Sequence, residues 1–251
     1  MVGPDNEPAP HDAPPGDSLG RHDLAGRLEE GFIPGWLRPH PGESRVLVGL
    51  AILLAASFQL LLAPKFTVLR PRWLLSGLEV ALLASLTAIN PVRLTRRSPV
   101  GRWLSLLLVA LISIDNAISA VLLDSKLIHG TAGSDAGALL ASGAAIYLTN
   151  IIVFGIWYWE LDRGGPFARA QAKVRYPDFL FPQMTQHHLA RKDWRPQFSD
   201  YLYVSFTNAT AFSPTDTMPL TRWAKALMTL QSGIALTTVA LVIARAVNIL
   251  K

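Results

Sequence analysis

Four polar side chains stand inside stretches otherwise suited to hydrocarbon: Glu79, Asp115, Asn116 and Asn150. Glu79 lies six residues into the apolar run Trp73–Asn90, and Asp115 lies eight residues from the end of the run Trp103–Leu123. On consecutive antiparallel helices, at about 1.5 Å per residue, these places are roughly 9 and 12 Å deep from the same side. A carboxylate in hydrocarbon is costly unless it pairs, binds a proton or meets water. Two at similar depth make a proton or cation site, with the Asn116 and Asn150 amides as neutral oxygen donors. The same groups would serve equally as hydrogen-bonded packing between helices.

A second set lies near the C-terminus. The chain reads Asp200-Tyr-Leu-Tyr-Val-Ser-Phe-Thr-Asn-Ala-Thr-Ala-Phe-Ser-Pro-Thr-Asp216-Thr-Met-Pro219, followed by an uncharged apolar run, Ala226–Ala244. Asp200 to Phe212 is 13 semi-apolar residues, about 20 Å of helix, too short to cross a bilayer. Asp200 is placed to cap its start, and Pro214 to stop it. This unit resembles the pore region of the two-transmembrane potassium-channel family, in which a pore helix runs into Thr-Val-Gly-Tyr-Gly-Asp, a downstream Pro and an inner helix. Leu202, Tyr203, Ser205 and Phe206 match the pore-helix pattern; Thr210 and Ala211 fall where the threonines before the filter lie. Asp216 falls on the Asp after the filter, and Pro219 on the later Pro. The resemblance covers about a fifth of the chain and implies a pore-like element lined by Thr210, Ser213, Thr215 and Asp216. Ser213-Pro214-Thr215 stands where Gly-Tyr-Gly would be, so the stacked carbonyls of a potassium-selective filter are not expected. Without a pore role, the same segment is a short interfacial helix ended by Ser213 and Thr215 turns.

A longer signature also looks like a family of uncharacterised bacterial integral membrane proteins. It comprises Tyr147-Leu-Thr-Asn150, Phe154, Trp157-Tyr158-Trp159-Glu160-Leu-Asp162-Arg163-Gly-Gly-Pro166 and Pro177-Asp-Phe. That resemblance implies a membrane protein and no particular activity.

Other chemistry is thinly represented. With no cysteine there is no disulfide, thiolate metal site or cysteine nucleophile. His187-His188 and His129 do not have a metal-site spacing, and hydrolase, P-loop and dinucleotide motifs are absent. The expectation is no catalytic residues, no metal, no cofactor and no enzyme.

The elements that hold these residues follow from hydropathy. Half of the 251 residues are apolar and only 16% charged, against about 25% in soluble domains. The net charge of +5 comes from short Arg clusters between apolar runs, which flank membrane spans and do not indicate nucleic acid. The partners expected are the bilayer, a monovalent cation and further copies of the chain.

The fold class expected is an all-α polytopic membrane bundle of about five transmembrane helices plus the half-helix. A Pro-rich disordered tail covers 1–42, with a short amphipathic piece at Leu19–Phe32 that would be a surface helix or a linker. Residues 43–161 hold four spans: Val46–Ala63, Trp73–Asn90, Trp103–Leu123 and Ala136–Trp159. Trp157-Tyr158-Trp159 is expected at headgroup level, and Glu160, Asp162 and Arg163 in water, with Gly164-Gly165-Pro166 stopping the helix. Residues 162–199 form a polar interfacial segment, and 200–251 the half-helix, turn and last span. Ala51, Ala55, Ala56, Ser142, Gly143, Ser232, Gly233 and Ala235 are candidates for close helix packing. The four Arg of the Arg93–Arg102 loop and the basic 162–199 segment place the tail in the cytoplasm of a cell-membrane protein, with the C-terminus outside.

Overall fold

A helix forms over each apolar run. The computed structural model describes residues 33–67, 71, 73–89, 99–133, 135–186, 188–210 and 216–250. The chain divides into two units, Met1–Pro34 and Gly35–Lys251, and the described helices all belong to the second. Their order is α1 (Val46–Leu61), α2 (Trp73–Ile89), α3 (Pro99–Ile128), α4 (Ala136–Leu161), α5 (Pro166–Ala170), α6 (Pro182–Thr185), α7 (Phe198–Thr210) and α8 (Arg222–Leu250). Strands β1 (Phe179–Leu180) and β2 (Met218–Pro219) pair antiparallel, Phe179 opposite Pro219 and Leu180 opposite Met218. The protein is an all-α helical bundle, and among the described residues its strands form one two-residue ladder.

α4 is the central post. Of its most apolar window 72% is buried, against 39% for α3 and 28% for α8. It packs on α1, α3, α7 and α8, so its apolar residues need no polar face. Asp135 starts it by accepting from the Ala138 amide at 3.0 Å. Gly143 lets α8 approach, since a Cβ there would meet the Val242 side chain at 2.8 Å. Ala55 and Ala235 are buried as expected of packing residues, whereas Gly233 faces open space.

Three helices, α3, α4 and α8, are long and apolar enough to cross a membrane. Five spans were expected. α1 has 16 residues and α2 has 17, roughly 24 and 26 Å of rise, which falls short of a core of about 30 Å. α1 stops before Ala63 because Leu62 turns extended, and Pro64 biases Ala63 the same way.

α4 ends at Leu161, ahead of Gly164-Gly165-Pro166, where Asp162 turns away at ψ 126°, and a 3-10 turn over Asp162–Gly164 follows. Both glycines have positive φ, and Pro166 opens α5 at its first position. Gly165 sits at φ 96°, ψ 173°, a region essentially reserved for glycine. A Cβ there would also lie 2.7 Å from the Glu160 carbonyl oxygen and 2.4 Å from Arg102 Nη1. Gly165→Ala should lose about 1–3 kcal/mol from backbone strain alone. Thermal unfolding in detergent checks this, and a wild-type midpoint would contradict it.

Several boundaries differ from expectation, since α3 and α8 outrun the expected spans Trp103–Leu123 and Ala226–Ala244 at both ends. The disordered tail was expected to reach residue 42, yet Gly35–Leu37 form a 3-10 turn and the His40 amide donates to the Ala170 carbonyl. Backbone bonding and the burial of Glu43 order this stretch; residues 1–32 and the Leu19–Phe32 piece lie outside the described residues. α7 begins two residues early, so Asp200 is not its cap. It sits in the first turn and its Oδ2 accepts from the Gln197 amide at 2.7 Å, the reach-back arm of a capping box.

Candidate functional site

Apolar helices gather their few polar side chains into layers, because each must find a partner inside the bundle. The first layer joins α1, α2 and α3. Ser76 Oγ donates to Gln59 Oε1 at 3.0 Å, and Gln59 Nε2 donates to Glu79 Oε1 at 2.9 Å. Glu79 is fully buried, and its Oε2 has no hydrogen-bond partner. The Asp115 charge on α3 acts on Glu79, but no hydrogen bond joins the two carboxyls. Glu79's hydrogen bond goes to Gln59 instead. Asn116 is buried one residue along α3, and Ser119, fully buried, has an unpartnered hydroxyl.

Asn150 belongs elsewhere, to a layer between α4, α7 and α8 whose hub is Gln231. Gln231 Oε1 accepts from Tyr158 Oη at 2.6 Å and Asn208 Nδ2 at 2.8 Å. Gln231 Nε2 donates to the Ser205 carbonyl at 2.9 Å and Ser205 Oγ at 2.7 Å. Ser205 Oγ donates to the Ile151 carbonyl, and Asn150 Nδ2 to the Gln231 carbonyl at 3.3 Å. Thus Ser205 and Asn208 of α7 are turned inward and bonded to its neighbours. Thr210 is exposed and its hydroxyl donates back to the Phe206 carbonyl at 2.8 Å. Asp216 is exposed; Ser213 and Thr215 lie outside the described residues.

The third assembly was not foreseen. Arg169 of α5, fully buried, forks onto Glu43, Nε to Oε1 and Nη2 to Oε2, both 2.9 Å. Its Nη1 donates to the Trp159 and Asp162 carbonyls at 2.6 and 2.8 Å, and its guanidinium lies over the Trp159 and Tyr201 rings. Glu43 Oε2 also accepts from Trp159 Nε1 at 2.5 Å. Asp162 accepts from Tyr201 Oη at 2.6 Å and from the Asp178 amide at 2.9 Å. Asp178 in turn accepts from the Arg163 amide at 2.7 Å and Trp223 Nε1 at 3.0 Å. Arg163, at φ 50°, donates Nη1 to the Trp36 carbonyl at 2.9 Å. This clamp ties the segment before α1 to the end of α4, to α5, to the 162–199 segment and to the starts of α7 and α8.

Its residues overturn two expectations. Asp162, Arg163 and Glu160 are buried, not in water, because each charge has a partner; Ser105 Oγ donates to Glu160 Oε1 at 2.5 Å. Tyr158 and Trp159 are buried in protein, not at headgroup level, because their polar tips bond to Gln231 and Glu43. Burial pushes the Arg169 pKa down, but Glu43, Tyr201 and Asp162 outweigh it and hold the guanidinium above its ordinary value. Burial raises the Tyr201 phenol far above the usual range, keeping it a donor.

His40 edges the clamp, and its Nδ1 accepts from the Gly42 amide at 3.2 Å. Its pKa is lowered by burial first, then by Arg195, Arg169 and Arg163, against the opposing pull of Glu43. The folded state therefore favours neutral His40. Its contribution is full above the unfolded value of about 6.5 and is lost as the pH falls through the lower folded value. Unfolding midpoints measured from pH 7.5 to 5 should fall more in the wild type than in His40→Gln. Parallel pH profiles would contradict this.

Signals for two of the layers were present in the chain. Gln59 and Gln231 are the amide side chains in two otherwise uncharged apolar runs, where an amide needs a partner.

No protein-family pattern matches this chain, and no curated protein or solved structure shows significant similarity to it.

Proposed function

We propose that this chain is a multi-pass cell-membrane protein that conducts a proton or a monovalent cation, with its tail cytoplasmic and its C-terminus outside. The observation that carries this reading is Glu79: fully buried, one oxygen held by Gln59, the other unpartnered, with Asp115 acting on it. A carboxylate at membrane depth invites a cation, a proton or water. α1 and α2, at 16 and 17 residues, cross with their flanking turns in this reading. The pore-like resemblance of 200–250 adds a channel-like element without potassium selectivity. The exposed Thr210 and Asp216 are available to meet further copies in a homo-oligomer.

A second reading, a non-transporting structural or interaction protein of the cell membrane, is favoured by the Gln231 layer, where Ser205 and Asn208 of the pore-like helix bond to its neighbours. The test is reconstitution into liposomes, with proton, sodium and potassium flux measured against empty vesicles. Flux of one or more of these supports conduction. Tight vesicles with folded protein support the second reading.

A further inference from the structure

Along the outside of α8 runs a cavity of about 580 Å³, within the size range of ligand sites. One end is marked by Lys225 with Thr217 and Met218, and Asn208 of α7 forms a side wall. Thr229, Gly233 and Leu236 continue it along α8, a stripe at helical spacing. From Lys225 to Leu236 the stripe is roughly 16 Å long. The slot is open at Gly233, since a Cβ there would meet nothing within 4 Å.

The chemistry is graded from end to end. The Lys225 end adjoins Arg222 at the start of α8, and both cations are exposed. Among the described residues no carboxylate forms an ion pair with Lys225. Asp216 is exposed nearby in the chain but does not line the slot. The rest of the lining is mainly apolar. We propose that this slot seats one acyl chain of an anionic phospholipid, with the lipid phosphate at Lys225. A cation at the rim and an apolar slot of fatty-chain length complement such a molecule. A second copy is a poorer occupant. Two copies share one orientation in the membrane, so a two-fold pairing of this face brings Lys225 against Lys225.

The test is native mass spectrometry of the detergent-solubilised full chain with dioleoyl phosphatidylglycerol or dioleoyl phosphatidylcholine added. The wild type should retain one phosphatidylglycerol in preference to phosphatidylcholine by about fivefold, the contribution of one lysine near an anionic headgroup. Lys225→Gln should abolish the preference, and Gly233→Leu should lower retention of both lipids. Both positions are exposed, so the fold should survive each change. Equal retention of the two lipids, a preference that survives Lys225→Gln, or a dimer that Gly233→Leu dissociates would each overturn the proposal. None of these outcomes bears on conduction through the Glu79 layer.

Discussion

Arg169→Met should lower the unfolding midpoint by roughly 6–20 °C, from a loss of about 3–5 kcal/mol. The reason is the charge left behind. Glu43 is buried and receives two of its three hydrogen bonds from Arg169. Removing the guanidinium strands a carboxylate and frees the Trp159 and Asp162 carbonyls. Arg169→Lys should fall between, because an ammonium cannot make the two-pronged contact. The double change Glu43→Gln with Arg169→Met should recover part of the loss, since no net charge then stays buried. Tryptophan fluorescence during heating is a suitable readout because Trp36, Trp159 and Trp223 all contact the clamp. A wild-type midpoint for Arg169→Met would show that water reaches and solvates Glu43.

Glu79→Gln should reduce flux at least tenfold while leaving the unfolding midpoint unchanged. The two effects separate because the amide is nearly isosteric with the carboxyl and its oxygen can still accept from Gln59 Nε2, a bond now 2.9 Å long. What is lost is the charge and the exchangeable carboxyl proton, the features a proton or cation requires. Asp115→Asn should have a smaller effect, because Asp115 is half-buried and acts on Glu79 only through its charge. Flux unchanged by Glu79→Gln would make the Gln59–Glu79 bond packing between α1 and α2 and would remove the observation on which the conduction proposal rests.

The apolar elements were legible because their boundaries are chemical discontinuities. Val46, Trp73 and Ala136 begin helices where the apolar runs begin, and the half-helix shifts by only two residues. The clamp was not legible. Asp162, Arg163, Arg169 and Asp178 lie in a polar stretch, where the ordinary reading of a charge is exposure to water. The burial of Arg169 depends on Glu43, 126 residues away, and no local spacing encodes that pairing. The aromatic run Trp157–Trp159 was misplaced for the same reason. Its composition suits a lipid headgroup, but Gln231 and Glu43 supply better hydrogen-bond partners. The carboxyl layer was not legible in the same way, because the Gln59 bond to Glu79 requires α1, which a comparison of two helices omits.

The Glu43–Arg169 separation also sets a schedule for biogenesis. At about 5–20 residues per second, a ribosome delivers Arg169 roughly 6–25 s after Glu43. Throughout that interval the segment before α1 holds an acid without its base. A nascent chain interrupted before α5 would keep that acid in water and leave its N-terminal segment undocked. Completion of the clamp thus distinguishes a finished chain from a truncated one, a distinction that membrane proteases reading exposed segments can act upon.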